Sequence, residues 1–289
     1  MDISVLIVTY NSAGFAESCV VSILKQEGVT FEIIVVDNHS RDNTVQILRE
    51  RGGSITLIEN PENLGFGRGN NLAFKSSRGR YLFLLNPDAW LVSPRSLRDT
   101  VDWMDRHPRC GVSGTAIERP GDVARPKYQY QGQDRIGQDY SRLPGEIAWV
   151  VGASMVIRRD VFETVAGFDE DFFMYGEEAD LCLRVREAGS EIGYNPDVIA
   201  HHMGGHSENG KSIYDIWRMR ENGKYTFYKK HYERDVVRQL ITHRVRRSRY
   251  RLLWLILKAT LVCPSEGDRR KREKYQAVRD AGSRFLTEP

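Results

Sequence analysis

The chain has 289 residues, of which 40% are hydrophobic and 28% are charged. This composition is typical of a globular protein with a substantial core, and the length allows one large α/β domain with an appendage or two small domains. The formal net charge is only +3, yet seven basic residues and no acidic residue lie between Arg238 and Lys258. We therefore expect the positive charge to concentrate near the C-terminus.

Cysteine usage and hydropathy indicate the compartment. No C-x-x-C pair occurs, no secretory leader precedes the first predicted strand, and no apolar run is long enough to span a bilayer. These features predict a cytoplasmic protein in a reducing environment. The cysteines are then expected to be small core residues or inert thiols, at Cys19, Cys110, Cys182 and Cys263.

Strands and helices alternate through the first third of the chain. The run from Ile3 to Thr9 is almost continuously apolar and β-branched, which predicts a strand buried on both faces. Helices are then predicted at residues 15–26, 42–51 and 69–77, and strands at 31–36, 55–58 and 81–85. This alternation predicts an open, mostly parallel α/β sheet flanked by helices, with ligands gathered at the carboxyl ends of the strands.

The second part of the chain is less regular. Residues 118–146 are polar and show little periodicity, which predicts an irregular insertion. After Ser207 the pattern becomes helical and basic, so we predict a main domain at residues 1–207 and a basic helical region at 208–289. Between the insertion and this boundary we predict a strand at 149–157 interrupted at Gly152, a short helix from Arg159, an acidic helix at 177–188, and strands near Ile192 and Val198.

Polar residues follow three of the predicted strands. Thr9, Tyr10 and Asn11 end the first strand, Asp37 ends the second, and Asn86 with Asp88 follows the fourth. A carboxylate in the position of Asp37 can cap the next turn, or it can accept hydrogen bonds from a nucleobase or ribose. Both roles remain open for Asp37 on these residues alone.

A glycine-rich segment follows the third predicted strand. Its sequence, N-L-G-F-G-R-G-N-N, looks like a dinucleotide fingerprint, but that motif belongs after the first strand, and Asn70 stands where its last glycine should be. The glycines could instead let the backbone approach a ligand, with Arg68 or a helix N-terminus facing phosphates. A flexible turn is the other interpretation.

Asp88 and the histidines near residue 202 are candidate metal ligands. Asp88 follows a strand in the sequence N-P-D, and the run H-H-M-G-G-H-S begins at His201. One carboxylate, one imidazole and two diphosphate oxygens would form a suitable shell for Mg²⁺ or Mn²⁺. The alternatives are a turn cap at Asp88 and structural hydrogen bonds at the histidines. The spacing is not that of a zinc site.

Three acidic residues lie at the start of the acidic helix, at Glu177, Glu178 and Asp180, after the aromatic pair Phe172-Phe173. Acids in this position can simply complement the helix dipole. A carboxylate beside aromatic surface can also have its pKa raised, and such a group is suited to take a proton from a hydroxyl. The segment is therefore a candidate site for a general base.

Taken together, these motifs resemble a known family. They match in order the inverting GT-A glycosyltransferases of family 2, and within it the rhamnosyltransferases that build bacterial cell-envelope glycans. The resemblance covers about residues 3–207. It is carried by V-L-I-V-T-Y-N-S, V-V-D-N-H-S, N-L-G-F-G-R-G-N-N, L-L-N-P-D-A, G-F-D-E-D-F-F-M-Y-G-E-E-A-D-L-C-L-R and H-M-G-G-H-S.

The resemblance implies a role for each matching residue. Glu178 is the general base, with Glu177 as the alternative, since the family usually has Asp in an E-D-x-D pattern here. Asp88 is the last acid of a D-x-D-type metal motif, Asn86 replaces its first acid, and His202 is the metal-side histidine, with His201 as the alternative. We assign the nucleotide to Thr9, Tyr10, Asn11, Asp37, Arg68, Asn70 and Asn86, and the sugars to Trp149, Gly152, Ala153 and Asp180.

The implied reaction is a single displacement with inversion at the anomeric carbon of a nucleotide-activated sugar. By analogy the donor is dTDP-L-rhamnose, and UDP-linked GlcNAc, Gal or Glc are alternatives. A metal, Mg²⁺ or Mn²⁺, would act as a Lewis acid on the leaving diphosphate. The acceptor would be a glycan or a sugar on a lipid diphosphate.

The C-terminal region bears on the acceptor. A helix with neighbouring basic and apolar faces suits an anionic membrane surface, so we expect a peripheral protein at the inner face of the cytoplasmic membrane. The alternative is a helix packed on the catalytic domain with a solvated basic face. The predicted basic stripe contains Arg244, Arg247, Arg251 and Lys258, and the apolar stripe contains Ile241, Val245, Leu252, Leu255, Ala259 and Val262.

Two other classes of function fit single features of the sequence. The arginine-rich tail could attract nucleic acid, because phosphate attraction is generic. No recognition motif accompanies it, and the carboxylates at the strand ends would repel a polyanion, so we expect no nucleic-acid partner. An oxidoreductase with a dinucleotide cofactor is disfavoured by the position and spacing of the glycine run.

Overall fold

A computed structural model describes residues 1–204 and 210–287 of the chain. They form two compact units. The first contains Met1–Tyr130, Asp139–Phe173 and the described residues from Glu177 to Gly204. The second contains Gln131–Gln138, Met174–Gly176 and the described residues from Gly210 to Thr287. The predicted domain boundary at Ser207 lies outside the described residues.

The described part of the first unit contains a nine-stranded sheet. Its strand order is β3-β2-β1-β4-β8-β6-β9-β5, with β7 paired to β6. The strands are β1 Ile3–Thr9, β2 Phe31–Asp37, β3 Thr56–Glu59, β4 Tyr81–Leu85, β5 Ala89–Leu91, β6 Cys110–Arg119, β7 Asp122–Ala124, β8 Ser154–Arg158 and β9 Glu191–His202.

The first four strands are parallel, as the crossover helices between them require. Strand β8 then lies antiparallel between β4 and β6, and β6 is parallel to β9. The helices of this unit are α1 Ala16–Leu24, α2 Thr44–Arg49, α3 Gly65–Lys75, α4 Ser96–Arg106, α6 Arg159–Thr164 and α7 Glu177–Glu187. The second unit contains α5 Gln133–Ile136, α8 Ile213–His231, α9 Arg234–Leu261 and α10 Glu266–Thr287.

The core lies on both faces of the sheet. Ile3, Val5 and Ile7 of β1 pack on one face with residues of α1 and α4, and Leu6 packs on the other face with residues of α3 and α7. Each fully buried aliphatic side chain of this kind contributes about 1.5–3 kcal/mol. A strand with apolar residues at every position satisfies both faces at once, and this explains the almost continuous apolar run.

The predicted α/β sheet flanked by helices is confirmed, and the structure corrects several details. Helix α3 begins at Gly65 rather than at residue 69, so most of the glycine-rich segment is helical. Strand β8 begins at Ser154, and Trp149 makes only an isolated bridge with Lys127. The two strands predicted near residues 192 and 198 are one strand, β9, because a register shift on β6 lets it continue past Asn195.

The predicted irregular insertion at 118–146 is wrong in part. Strand β6 continues to Arg119, and β7 folds back onto it in an antiparallel pair. A one-turn helix, α5, follows between two glycines in the left-handed backbone region, Gly132 and Gly137. Strand β7 has only three residues, too few to show the apolar alternation that marks a strand in sequence, so the pattern did not reveal it.

The three long helices of the second unit bury a charged pair. Glu221 of α8 has no exposed surface, and the Arg244 guanidinium donates to both of its carboxylate oxygens. The hydrogen bonds and positive charges of Arg244 and Lys224 outweigh the cost of burial and lower the pKa of Glu221. Arg244 is therefore part of the helical packing, whereas both interpretations of the sequence placed it on an outward-facing basic stripe.

The predicted apolar stripe of α9 is also largely interior. Ile241, Val245, Leu252 and Leu255 are between 2% and 7% exposed. The membrane interpretation of these four residues is wrong, because they pack inside the helical unit. Among the described residues, no helix has both the length and the apolar character needed to cross a membrane.

Candidate active site

The carboxyl ends of β1 and β2 are joined through Asp37. Its carboxylate, in a residue only 1% exposed, accepts from the Thr9 hydroxyl at 2.8 Å. It also accepts from the Ser40 hydroxyl at 2.6 Å and the Ser40 amide at 2.8 Å. The turn role of Asp37 is thus visible in the structure. Contact between Asp37 or Thr9 and a nucleoside stays a prediction.

The turn after β1 is fixed against the loop after β2. Asn11 has φ +51, in the left-handed backbone region that Asn tolerates better than most residues. Its backbone amide donates to the Ser40 hydroxyl at 2.8 Å, and its side-chain oxygen accepts from the Arg41 amide at 2.8 Å. Asn11 therefore shapes this turn, and half-buried Tyr10 lies beside it at the end of the sheet.

The glycines of α3 are explained by close packing. Gly65 has φ +82, and a methyl group added there would lie 2.0 Å from the Phe173 carbonyl oxygen. A methyl group at Gly69 would lie 2.8 Å from a methyl carbon of Val8 on β1. These glycines thus bring α3 against the sheet and against the segment before α7. Close packing alone therefore explains the glycines, without a phosphate ligand.

Helix α3 also forms hydrogen bonds with the backbone of residues 168–173. The Asn71 side-chain nitrogen donates to the Phe168 carbonyl at 2.8 Å, and the Asn71 side-chain oxygen accepts from the Phe168 backbone amide at 2.9 Å. The Arg68 guanidinium donates to the Glu170 carbonyl at 2.7 Å, and the Phe66 amide donates to the Phe173 carbonyl at 3.1 Å. Asn71 was not identified as a site residue from the sequence. The signal was a second asparagine next to Asn70 in a helical segment, where asparagine is unfavourable.

Two of the predicted nucleotide residues on α3 are used differently. Exposed Arg68 makes the contact to the 168–173 segment. Asn70 is 1% exposed and donates to the Phe66 carbonyl at 3.0 Å. Its side-chain oxygen is buried and has no hydrogen-bond partner among the described residues. The nucleotide role of both residues stays a prediction.

The candidate metal ligands meet at one place. Strands β5 and β9 pair so that Ala89 lies opposite His202, which puts His202 beside Asp88. The His202 Nε2 atom lies 3.1 Å from Asp88 Oδ1 and 3.4 Å from Asn86 Nδ2. Asp88 and His202 are 4% and 8% exposed. Residues that are more than one hundred positions apart thus form one polar cluster, as the prediction required.

His201 is directed elsewhere. It lies on the opposite face of β9, where its Nδ1 atom is 3.2 Å from the Glu118 carboxylate. Of the two adjacent histidines, His202 is therefore the one placed beside Asp88. His206, the third histidine of the run, lies outside the described residues.

The cluster fits a metal that takes most of its ligands from a substrate. Asp88 and His202 supply one oxygen and one nitrogen donor 3.1 Å apart, a separation suited to neighbouring ligands of one cation. The described residues contain no group of three or more His, Cys, Asp or Glu side chains that could hold a metal ion. Diphosphate oxygens would have to complete the shell of Mg²⁺ or Mn²⁺.

Glu177 and Glu178 have different surroundings. Glu177 is 4% exposed, and its Oε2 atom has no hydrogen-bond partner within the described residues. Burial raises the pKa of Glu177 well above its ordinary value, and the neighbouring Glu178 and Asp180 carboxylates raise it further. Glu178 is half-buried. A methyl group added at Gly152 would lie 3.8 Å from Glu178 Cβ, so these two residues are neighbours.

The segment at residues 152–153 contacts both halves of the site. Gly152 lies beside Glu178, and the Ala153 carbonyl accepts from the Asn86 backbone amide at 2.9 Å. The base candidate and the metal-side cluster therefore flank one short stretch of backbone. Gly152 and Ala153, two of the predicted sugar-pocket positions, form this stretch, and their contact with a sugar stays a prediction.

The other two sugar-pocket residues have structural partners. The Asp180 side chain, which is 1% exposed, pairs with Arg184 at 2.7 Å, and Arg184 also donates to the Val165 and Gly167 carbonyls. Asp180 thus braces the loop before the 168–173 segment. Half-buried Trp149 donates from its indole nitrogen to the Gln129 carbonyl at 3.2 Å. Sugar contact by either side chain stays a prediction.

Comparison with known proteins places this geometry in a family. The family described as Glycosyl transferase family 2 matches residues 4–166. An N-acetylglucosaminyl-diphospho-decaprenol L-rhamnosyltransferase of Mycobacterium tuberculosis is 28% identical, over 70% of this chain and 76% of its own length. Rhamnosyltransferase WbbL of Escherichia coli K12 is 26% identical, over 68% of this chain and 81% of its own length.

Solved structures show the same fold. Residues 1–349 of Staphylococcus aureus TarS, crystallised with UDP, align with a TM-score of 0.60 at 15% identity, covering 99% of this chain and 91% of that one. A mannosyltransferase of Pyrobaculum calidifontis with GDP-Man and Mn²⁺ aligns with a TM-score of 0.59 at 16% identity, covering 98% and 86%. The fold is therefore GT-A, and the chain belongs to glycosyl transferase family 2 and is a glycosyltransferase.

Proposed function

We propose that the enzyme transfers L-rhamnose from dTDP-L-rhamnose to a hydroxyl of a glycan or of a lipid-diphosphate-linked sugar in cell-envelope polysaccharide synthesis. The observation that carries this proposal is the placement of Glu178 and the Asp88–His202 pair on either side of residues 152–153. Two relatives that match more than two thirds of the chain are named as rhamnosyltransferases, and the name of one specifies a lipid-diphosphate acceptor.

Glu178 is the proposed general base. Glu177 is buried, and burial raises its pKa well above the ordinary carboxyl value, which disfavours the ionised form that a general base needs. Glu178 lies at the neighbouring backbone position and next to Gly152. It takes the proton of the acceptor hydroxyl, whose oxygen forms a bond to the anomeric carbon. The bond from that carbon to the diphosphate oxygen breaks, its electron pair leaves with the nucleoside diphosphate, and the configuration inverts.

Asp88 and His202 would hold the divalent metal. When it is bound, the metal neutralises negative charge on the leaving diphosphate. Asn86, whose amide nitrogen is 3.4 Å from His202 Nε2, replaces the first acid of the motif and contributes no charge. Among the described residues this cluster therefore contains a single carboxylate, and metal affinity in the absence of nucleotide should be low.

A UDP-sugar donor is the second candidate. It is favoured by the likeness to TarS, which has been crystallised with UDP and with UDP-GlcNAc. That likeness, at 15% identity, extends to the fold alone. The nucleotide would lie at the ends of β1 and β2, beside Thr9, Tyr10 and Asp37, and the base contacts that separate thymine from uracil would decide between the two.

A donor screen tests the proposal. The enzyme is incubated with Mn²⁺, a GlcNAc-diphospholipid analogue and either dTDP-L-rhamnose or the UDP-linked GlcNAc, Gal or Glc donors. We expect a product only with dTDP-L-rhamnose and an inverted anomeric configuration by NMR. A product with a UDP-sugar alone would favour the second candidate. A rise in melting temperature with an oligonucleotide but with neither nucleotide would instead support nucleic-acid binding.

A further inference from the structure

Helix α9 exposes a row of large apolar side chains on its C-terminal half. We call it the apolar row, and its spacing of three or four residues puts its members on one side of the helix. Each member is more than half exposed, and Leu261 is 85% exposed. The row consists of Tyr250, Leu253, Trp254, Leu257 and Leu261.

The row belongs to a folded helix. The opposite side of the same turns is buried through Leu252 and Leu255, each 7% exposed. Lys258 pairs with Asp268 at 2.8 Å, which ties the last turns of α9 to the first turn of α10. The apolar row is thus held on the surface by packing of the opposite face. Contiguous exposed apolar surface of this kind marks an interaction site.

Basic residues surround the apolar row. Four exposed arginines precede or interleave with it on α9, and four exposed basic residues lie on the first turns of α10. The Lys258–Asp268 pair holds the start of α10 against the end of α9, so the α10 group lies beside the half of α9 that carries the apolar row. We call them the basic clusters: Arg246, Arg247, Arg249 and Arg251 on α9, and Arg269, Arg270, Lys271 and Arg272 on α10.

A cationic cavity of about 420 Å³ lies between α8 and α10. Four of its lining residues are basic and none is acidic. The Lys274 ammonium lies 3.6 Å from the centre of the Trp217 ring, and it forms no ion pair within the described residues. Burial lowers the pKa of Lys274, and Arg244 and Arg220 lower it further. The cavity is suited to phosphate groups.

We propose that this end of the helical unit docks on an anionic phospholipid bilayer. The apolar row enters the interface between headgroups and acyl chains, while the basic clusters and the cationic cavity bind headgroup phosphates. A second copy of the chain would bring like charges together, and nucleic acid would leave the apolar row in water. The proposal deepens the proposed function, because it supplies the surface at which a lipid-linked acceptor is reached.

The test measures sedimentation of the full-length protein with vesicles. One set contains phosphatidylglycerol and phosphatidylcholine, and the other contains phosphatidylcholine alone. We expect binding to the anionic set at least about tenfold stronger than to the neutral set. Combined Leu253→Ser, Leu257→Ser and Leu261→Ser changes should weaken anionic binding by about tenfold or more. The matched control, Val92→Ser with Val123→Ser, changes exposed apolar residues of the first unit and should bind like wild type.

A second variant, Arg270→Glu with Lys271→Glu, tests the electrostatic contribution. It should weaken binding to anionic vesicles and leave binding to neutral vesicles unchanged. Circular dichroism melting checks that each variant is folded. Equal vesicle binding by the wild type and the leucine variant would overturn the proposal. It would also be overturned if the wild type were a dimer and the leucine variant a monomer that still binds vesicles. Transfer to a water-soluble acceptor is measured in parallel. If that fails while vesicle binding holds, the proposed function alone is wrong.

Discussion

The two adjacent carboxylates at the start of α7 differ because one is interior and the other is not. Glu177 points into the protein, where burial and two neighbouring acids favour its protonated form. Glu178 lies beside Gly152, on the side of the candidate sugar position. One residue of rotation on a helix is about 100°, which is enough to separate a buried acid from one that meets substrate.

The base assignment predicts a defined kinetic change. Glu178→Gln should reduce kcat by about 100-fold or more, since general-base catalysis is worth that much, and should leave donor binding intact. Steady-state kinetics together with calorimetric titration of the donor measure both quantities. Glu177→Gln serves as the matched control. A large loss in that control, with Glu178→Gln near wild type, would move the role to Glu177.

Glu177 also predicts a dependence of stability on pH. Its raised pKa means that the folded state binds the proton more tightly than the unfolded state does. This contribution is complete below the ordinary carboxyl pKa and is lost as the pH rises through the raised value. Glu177→Gln should therefore have little effect on the melting temperature at about pH 4 and should raise it increasingly as the pH rises above the ordinary carboxyl pKa. A difference that does not change with pH would contradict this.

The metal assignment is tested by binding. Asp88→Asn and His202→Ala should each weaken Mn²⁺-dependent binding of the nucleotide by about tenfold or more, because each removes one of two protein donors. Titration of dTDP or UDP with and without Mn²⁺ measures the effect, and His201→Ala is the control. Wild-type activity that is undiminished in a chelator would show that neither residue holds a required metal.

At the scale of elements, α3 packs against both the sheet and the loop that precedes α7, and so connects the two. Gly69 lets it approach β1, Gly65 lets it approach the Phe173 carbonyl, and Asn71 clamps the backbone of Phe168. The loop leads directly into the helix that carries both glutamates. The glycine-rich run therefore helps to position the loop that leads into α7.

Gly65→Ala should be strongly destabilising. The new methyl group would meet the Phe173 carbonyl, and the residue would keep a left-handed backbone conformation that costs about 1–3 kcal/mol for a residue other than glycine. Urea unfolding should show a loss of at least this size. Gly53→Ala is the control, since nothing lies within 4 Å of its added methyl group. Equal stability of the two variants would show that α3 can shift freely.

At the scale of the whole chain, the helical unit is held by an interior ion pair. Arg244→Leu should cost about 3 kcal/mol or more of unfolding free energy, because it removes both guanidinium hydrogen bonds from the buried Glu221 carboxylate. Arg247→Leu, at an exposed position one turn along α9, should change stability by less than about 0.5 kcal/mol. Chemical denaturation monitored by circular dichroism distinguishes the two. Similar small losses would mean that Glu221 is solvated.

The sequence by itself determined the parallel sheet and the identity of the residues at its strand ends. Local periodicity was enough for β1, β2 and β4, because a strand buried on both faces is apolar at every position. The order of the motifs was enough for the family. Periodicity was not enough for β7 and α5, which have only three and four residues, or for the continuous strand β9.

Only the tertiary structure decided which residues meet. His202 rather than His201 lies beside Asp88 because alternate residues of β9 point to opposite faces, and the pairing register with β5 selects the face. Arg244 looked like a surface charge until α8 placed Glu221 against it. The apolar row of α9 was hidden for the same reason, since both sides of that helix are apolar in sequence and only packing against α10 determines which side is buried.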